Sequence, residues 1–296
     1  MSSIRVNPNP MPGLLAALEE LQQRQSTATQ QLATGSRINR PSDDPAGAAE
    51  LVQISDRNSQ VDSFKRSIDS ITGLLSTADS TLSSVVTVLQ RAMSLGVEGA
   101  NGTLSDSDRA AVAAELTGIQ NQLISLANTS YQGKFIFSGT AQTQPFVLDP
   151  NSASGVRYDG NPGSNQITIG NGYQLQVNLP GSQIFSGAGG DVFQALHDLI
   201  AALQTNTNID TAVNAVNGAF RYVTAQRVFY GNALNQAEAQ QTHLDTEKLN
   251  LSQQANVVGG ADMPRSCAEA GVLQRVVPLA QIPEQILLAT RYRKRA

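Results

Sequence analysis

The sequence predicts a mainly α-helical fold, a long antiparallel helical bundle or coiled coil that carries a small β-rich insertion. Over long stretches, apolar residues recur at alternating spacings of three and four, which is typical of helices that pack along a seam. Between these stretches, residues 131–190 are rich in Gly, Pro and Asn and contain short alternating apolar runs. Aromatic residues make up only 5% of the 296 residues and Trp is absent. We therefore expect narrow apolar seams and no large aromatic-rich core.

The first predicted helix runs from Pro12 to Thr34 and ends at Gly35, a residue that readily adopts the left-handed conformation found after a helix. A proline-containing segment follows and tethers this helix to the rest of the chain. We therefore interpret its heptad positions, which have one polar slot at Gln25, as a seam for assembly with other subunits. The apolar residues of this seam are Leu14, Leu18, Leu21, Ala28 and Leu32.

The second predicted helix begins at Pro45, with Asp44 as its N-cap, and extends to about Leu95. Its length is roughly 75 Å at about 1.5 Å per residue. A third helix is predicted after Ser105 and Asp108, which can form a capping box. We interpret the seam of the second helix as the interior of an intramolecular bundle, because every slot is apolar: Val61, Phe64, Ile68, Ile71, Leu75, Ala78, Leu82, Val85 and Leu89.

The helical periodicity stops at about Tyr131, where the predicted β-rich domain begins. Asn171-Gly172 is a favourable hairpin turn between two alternating runs. Helical spacing returns after residue 190, and a last long helix is predicted from about Ile209 to Ala255. The predicted organisation has five segments: an assembly helix with its linker (1–40), two parts of a helical body (41–130 and 191–255), the β-rich domain (131–190) and an atypical C-terminal segment (256–296).

The sequence contains no candidate site for catalysis, cofactor binding or metal binding. His197 and His243 lie within helical patterns, away from residues with metal-ligand spacing, and we interpret both as solvated or packing residues. Asp43 and Asp44 form a carboxylate pair, but their place before a proline favours a role at a helix start. The single cysteine, Cys267, has no base partner in the sequence. We therefore expect that the protein is not an enzyme.

Charge and hydropathy exclude several kinds of partner. The formal net charge is −4, with 20 basic and 24 acidic residues, and the body of the chain lacks the clustered Lys and Arg that bind phosphates. We therefore expect no nucleic-acid partner. No apolar run approaches about 18 residues, so we expect no membrane span. The N-terminal segment lacks the apolar core of a cleaved secretory signal, so export would use another route.

Residues 36–51, SRINRPSDDPAGAAEL, resemble the N-terminal signature of the flagellin superfamily. Its two prolines bring it closer to the hook-associated protein 3 family than to the flagellins, whose version is richer in alanine. Residues 97–116 are similar to the helix–turn–helix of that family, and residues 131–146 to its entry into the β domain. The residues that carry the motif and the helix start are Arg37, Asn39, Pro41, Asp43, Asp44, Pro45 and Gly47.

This resemblance implies a structural subunit of the bacterial flagellum at the hook–filament junction, assembled by coiled-coil packing of its terminal helices. It implies hook-associated protein 1 and flagellin as neighbours, a ring of the protein's own copies, and a flagellar export chaperone. The subunit would be extracellular and exported by the flagellar type III apparatus without a cleaved signal peptide. Two alternatives stay open: a flagellin, which forms the filament itself, and a secreted coiled-coil adhesin or effector that binds a ligand through residues 131–190.

The sequence changes character after Met263. The resemblance implies a long, proline-free amphipathic helix at the C-terminus, whereas this chain has Pro264, Pro278 and Pro283. Residues 262–296 hold six basic and three acidic residues, a net charge of +3, so the rest of the chain carries −4 − 3 = −7. We favour a one-base reading-frame shift near codon 263 as the cause. The alternative is a divergent tail whose short helices pack locally.

Overall fold

A computed structural model describes residues 11–187, 189–268 and 270–272 and confirms the predicted mainly α-helical fold with a small β insertion. The chain contacts define two compact units. The terminal unit contains the residues up to Ser59 together with those from Glu247 onward, and the body unit is Gln60–Thr246.

Two helices of more than 50 residues dominate the architecture, and both extend a turn beyond their predicted ends. A further helical segment covers residues 263–268 and 270–272. In chain order the helices are α1 (Met11–Thr34), α2 (Pro45–Gly99), α3 (Asp106–Ala127), α4 (Gly181–Phe185), α5 (Val192–Thr205) and α6 (Ile209–Gly259).

The first turn of α3 has the predicted capping box. The hydroxyl of Ser105 accepts a hydrogen bond from the Asp108 amide at 3.2 Å, and the Asp108 carboxylate accepts one from the Ser105 amide at 3.3 Å. Two donors of the first turn are satisfied in this way, which fixes where α3 begins after the loop from α2.

The β region consists of four separate antiparallel pairs of short strands. The predicted Asn171-Gly172 turn joins one pair, with Gly172 at φ +74°. A second hairpin, unpredicted, turns at Gln132-Gly133, where both residues have positive φ as a type I′ turn requires. The pairs are β1 (Ser130–Tyr131) with β2 (Lys134–Phe135), β3 (Phe146–Leu148) with β4 (Val156–Tyr158), β5 (Gln166–Gly170) with β6 (Tyr173–Gln176), and β7 (Ser186–Gly187) with β8 (Gly190–Asp191).

The core of the body unit follows the long apolar seam of α2. Every residue of that seam is buried except Phe64, which is half-buried. On α6 the alternate heptad positions Val216, Val223, Ala237 and Leu244 are buried as well. Burial of this many apolar groups is the main stabilising contribution to the unit.

A small aromatic cluster forms a second part of the body core. The side chains of Phe137, Phe146, Phe185 and Phe193 contact one another with ring centroids 5.1–6.0 Å apart, and Tyr158 packs on Phe146 at 5.1 Å. These residues come from loops, strands and two helices. Five of the chain's 14 aromatic residues therefore meet at one place, where they join the β region to the helices.

A candidate assembly site in the terminal unit

The linker after α1 is bonded along its backbone to the end of α6. Gly35, at φ +68°, ends the helix as predicted, and its carbonyl accepts a hydrogen bond from the Ala261 amide at 3.0 Å. Ser36 and Gly260 form an isolated antiparallel bridge, and the Ser36 hydroxyl donates to the Gly259 carbonyl at 3.1 Å. We call residues 35–47 and 258–261 the terminal clasp.

Arg37 lies at the centre of the terminal clasp. Its amide donates to the Gly259 carbonyl at 2.7 Å and its Nη2 to the Val258 carbonyl at 2.9 Å. The same Nη2 lies 3.0 Å from Oδ2 of Asp44. The guanidinium therefore neutralises the negative end of the α6 dipole and holds the acidic residue that precedes α2.

The two aspartates of the motif accept hydrogen bonds from backbone amides, Asp43 within the linker and Asp44 as the N-cap of α2. Oδ2 of Asp43 accepts hydrogen bonds from the amides of Asn39 and Arg40 at 3.0 and 2.8 Å. Oδ1 of Asp44 accepts one from the Gly47 amide at 3.0 Å, at the start of α2. The Gly47 N–H and the Arg37 guanidinium together lower the pKa of the Asp44 carboxyl, so its charged form is favoured.

Two glycines allow close packing in this unit. A Cβ at position 47 would lie 2.6 Å from Cδ1 of Ile38, and a Cβ at position 259 would lie 2.8 Å from Cδ1 of Leu51. Gly47 thus permits the linker to fold back on the first turn of α2. Gly259 allows the Leu51 side chain to approach the backbone at the end of α6.

The predicted assembly seam of α1 is only partly covered. Ala28 is 3% exposed, whereas Leu18, Leu21, Gln25 and Leu32 are half-buried. The side chain of Leu14 lies outside the part that the structure describes. Most of the seam therefore retains apolar surface that is accessible in the single chain.

The residues after Met263 begin another helix and contact α1. The Arg265 amide donates to Oδ1 of Asp262 at 3.2 Å, and the Ser266 hydroxyl contacts Oε1 of Gln31 at 3.3 Å. Pro264 lies in the first turn of this helix, where no amide donor is needed. Pro264 is therefore compatible with this short helical segment, which is separate from α6, and Pro278 and Pro283 lie outside the described residues.

The terminal unit has little core and much exposed apolar surface. Among the described residues, 46 apolar residues are buried; 43 of them belong to the body unit and three to the terminal unit: Ala28, Ile54 and Leu251. Yet six of the ten large hydrophobic residues found exposed belong to the terminal unit: Leu15, Val52, Leu249, Val257, Met263 and Val272. Such a distribution is typical of a surface that binds another protein.

The described residues do not bring together a recognisable reactive centre. His197, His243 and Cys267 are all exposed, and among the described residues no three of His, Cys, Asp and Glu lie where they could hold a metal ion. Within the same part of the chain, no helix is both long enough and apolar enough to cross a membrane.

Sequence reasoning identified Arg37 and Asp44 but missed what Arg37 binds. Its backbone partners, Val258 and Gly259, lie more than 200 positions away, and carbonyl groups leave no trace in side-chain patterns. The role of Ser36 was missed for the same reason. The only signal in the sequence was the basic residue Arg37, seven positions before the N-cap Asp44.

Comparison with known proteins places the chain among flagellar proteins. Residues 13–142 match the family described as the bacterial flagellin N-terminal helical region. The flagellar hook-associated protein 3 of Salmonella typhimurium is 31% identical over 243 residues, which cover 75% of this chain and 73% of the relative. The protein of the same name from Escherichia coli is 29% identical over 252 residues, covering 76% of this chain and 78% of that protein.

The fold is shared with solved structures as well. A flagellar hook-associated protein from Vibrio parahaemolyticus superimposes with a TM-score of 0.67 at 24% identity, over 73% of this chain and 99% of that one. The shared fold thus covers nearly all of that structure, whereas the family match covers only residues 13–142 of this chain. Sequence and fold together show that the chain belongs to the flagellar hook-associated protein 3 family.

Proposed function

We propose that this chain is a structural subunit of the flagellum at the hook–filament junction and that its terminal unit binds neighbouring subunits. The observation that carries the proposal is the contrast between the two units. Among the described residues, the body unit buries 43 apolar residues and exposes four large ones, whereas the terminal unit buries three and exposes six. Covering this apolar surface with other chains removes it from water, which is favourable.

We infer the neighbouring subunits in the flagellum from the family to which the chain belongs. Copies of the subunit would form a ring, with hook-associated protein 1 on one side and flagellin on the other. We infer that the chain reaches this place through the flagellar type III apparatus, with the help of an export chaperone and without a cleaved signal peptide. The terminal clasp supports this assignment, because it sets the position of α1 relative to the end of α6 within the unit that assembles.

A flagellin is the second candidate, because residues 13–142 match the N-terminal helical region of the flagellins. The two functions differ in self-assembly. A flagellin polymerises into long filaments from its own copies, whereas a junction subunit does not. Electron microscopy of the purified, concentrated protein distinguishes them, and long homogeneous filaments would favour the flagellin.

The proposed site is tested with a matched pair of aspartate substitutions. Val52, in the terminal unit, is 60% exposed, and Val228, in the body unit, is 58% exposed, and both lie on long helices. Neither substitution buries a charge in the single chain, so both proteins should fold. With Val52→Asp as the only copy in the cell, we expect lost filaments and flagellin shed into the medium. Val228→Asp should support normal filaments, and equal behaviour of the two variants would contradict the assignment.

A further inference from the structure

Among the contacts that the structure describes, three polar pairs cross from α2 to α6 in the body unit. Lys65 pairs with Asp245, the Gln241 amide donates to Oδ1 of Asp69 at 3.4 Å, and Arg227 binds Asp79. As the residue number on α2 rises, that of its partner on α6 falls. The two helices are therefore antiparallel, and each pair marks the register of one helix against the other.

The apolar contacts alone define this register poorly. The α2 seam repeats every seven residues with an apolar side chain at each slot, so a slide of one heptad presents the same apolar α2 surface to α6. Such a slide moves α6 by about 10 Å at about 1.5 Å per residue. Within the α2–α6 contact itself, the register is therefore selected by residues whose partners change in the slipped arrangement.

The Lys65–Asp245 and Asp69–Gln241 pairs tolerate a slide. If α6 slid so that each α2 residue faced the residue seven positions after its present partner, Asp69 would meet Lys248 instead of Gln241. After a slide in the other direction, by seven positions, Lys65 would meet Glu238 instead of Asp245. An opposite charge is thus available in either direction, so these pairs discriminate weakly between the native and slipped registers.

The Asp79–Arg227 pair behaves differently. Arg227 occupies a heptad position of the α6 seam, and its Nε and Nη2 donate to the two carboxylate oxygens of Asp79 at 2.7 and 3.0 Å. In the slipped registers Asp79 would face Leu234 or Phe220, and both charges would lose their partners. We propose that the Asp79–Arg227 pair selects the α2–α6 register during folding and contributes little to the stability of the folded body.

General physical chemistry supports this division of roles. Partly buried ion pairs give little net stability, because desolvation offsets most of the attraction between the charges. A polar residue at a seam position of two paired helices is, however, a known way to specify their register. The bidentate geometry increases this specificity, since only a carboxylate at the right height satisfies both guanidinium donors.

Spin labels on α2 and α6 test the inference directly. In a Cys267→Ser background, Ser80→Cys and Ala239→Cys place labels at two exposed positions that are offset along the helices. Each protein is unfolded in urea and refolded. Double electron–electron resonance then gives the distance between the labels, and thermal denaturation gives the melting temperature. The original pair should give one distance. The replacement Asp79→Leu with Arg227→Leu should keep the helix content and melting temperature but add a second distance shifted by up to about 10 Å.

The charge-exchanged pair, Asp79→Arg with Arg227→Asp, is the matched control, and it should restore the single distance. A leucine pair with only the original distance would overturn the proposal. A leucine pair that fails to fold would overturn it too, because the ion pair would then be needed for stability. Neither result bears on where the subunit assembles, so the junction function is tested independently.

Discussion

Arg37 and Val258 are 221 positions apart, yet Nη2 of Arg37 donates to the Val258 carbonyl at 2.9 Å. This bond connects the linker after α1 to the last turn of α6, where carbonyl groups have no partner within the helix. Because the same guanidinium contacts Asp44, one side chain bridges the end of one long helix and the start of another. The side chain of Arg37, itself about half-exposed, thus adds to the backbone bonds that position the N-terminal helix.

We expect Arg37→Ala to loosen the terminal clasp without unfolding the body unit. The lost bonds involve a charged donor, but solvent screens it, so the expected cost is about 1 kcal/mol. Hydrogen exchange at the amides of Gly35 and Ala261 should accelerate several-fold, while the main melting transition stays in place. Arg24→Ala is the control, because the Arg24–Glu20 pair is exposed on a single helix. Unchanged exchange in the Arg37 variant would show that the backbone bonds suffice.

The terminal clasp should also respond to acid through Asp44. The Gly47 N–H and Arg37 hold the pKa of this carboxyl below its ordinary value of 3.8. The stabilisation is therefore fully present above pH 3.8 and is lost as the pH falls through the lower, folded-state pKa. Hydrogen exchange of the Gly47 amide, corrected for the intrinsic rate, should show this loss in the original protein. The Asp44→Asn variant should not show this acid-dependent loss of protection. The control Asp56→Asn, a change at an exposed position of α2, should show the same loss as the original protein.

Two glycines in helix interiors should respond to alanine in opposite directions. A Cβ at position 96 would lie 2.7 Å from Cγ2 of Val213, whereas nothing lies within 4 Å of a Cβ at position 118. We expect Gly96→Ala to destabilise the body unit by about 1–3 kcal/mol through overpacking. Gly118→Ala should stabilise it by about 1 kcal/mol, because alanine favours the helix. Thermal denaturation compares the two, and a stabilised Gly96→Ala would mean that the contact of α2 with Val213 is looser than described.

The attachment of the β region to α6 should depend on one tyrosine hydroxyl. Tyr230 is fully buried, its Oη accepts a hydrogen bond from the Leu179 amide at 3.2 Å, and burial raises the pKa of the phenol. Tyr230→Phe would leave a buried amide unsatisfied, at a cost of about 1–3 kcal/mol. Tyr173→Phe removes an exposed bond to Gln236 and should cost far less. Equal melting temperatures for both variants would contradict this ranking.

The long helices were predictable from sequence because their signals are local and repeated. Spacings of three and four, the Ser105 capping box and the glycine after α1 each act within a few residues. The aromatic cluster was not predictable, since its five rings come from elements that approach only in the fold. The turn at Gln132-Gly133 was missed because glutamine rarely adopts positive φ. The α1 seam was found, but its partial exposure could be seen only once neighbouring helices were placed.

The last prediction concerns the residues after Met263, where a reading-frame shift is our favoured explanation. Leu18, Leu21 and Leu32 are half-buried, as expected for a seam whose partner is missing from the described chain. The contact of Ser266 with Gln31 favours the alternative, a divergent tail that packs locally.

We expect mass spectrometry of native flagella to find a subunit that matches this sequence up to Met263 and then differs. Peptides from residues 97–116 serve as the internal control, because they must be present in the same digest. Detection of a peptide from residues 284–296 in functional flagella would refute the shift. Restoring the other reading frame should then leave assembly unchanged, whereas a true shift predicts that restoration recovers filaments, because the α1 seam regains an apolar partner.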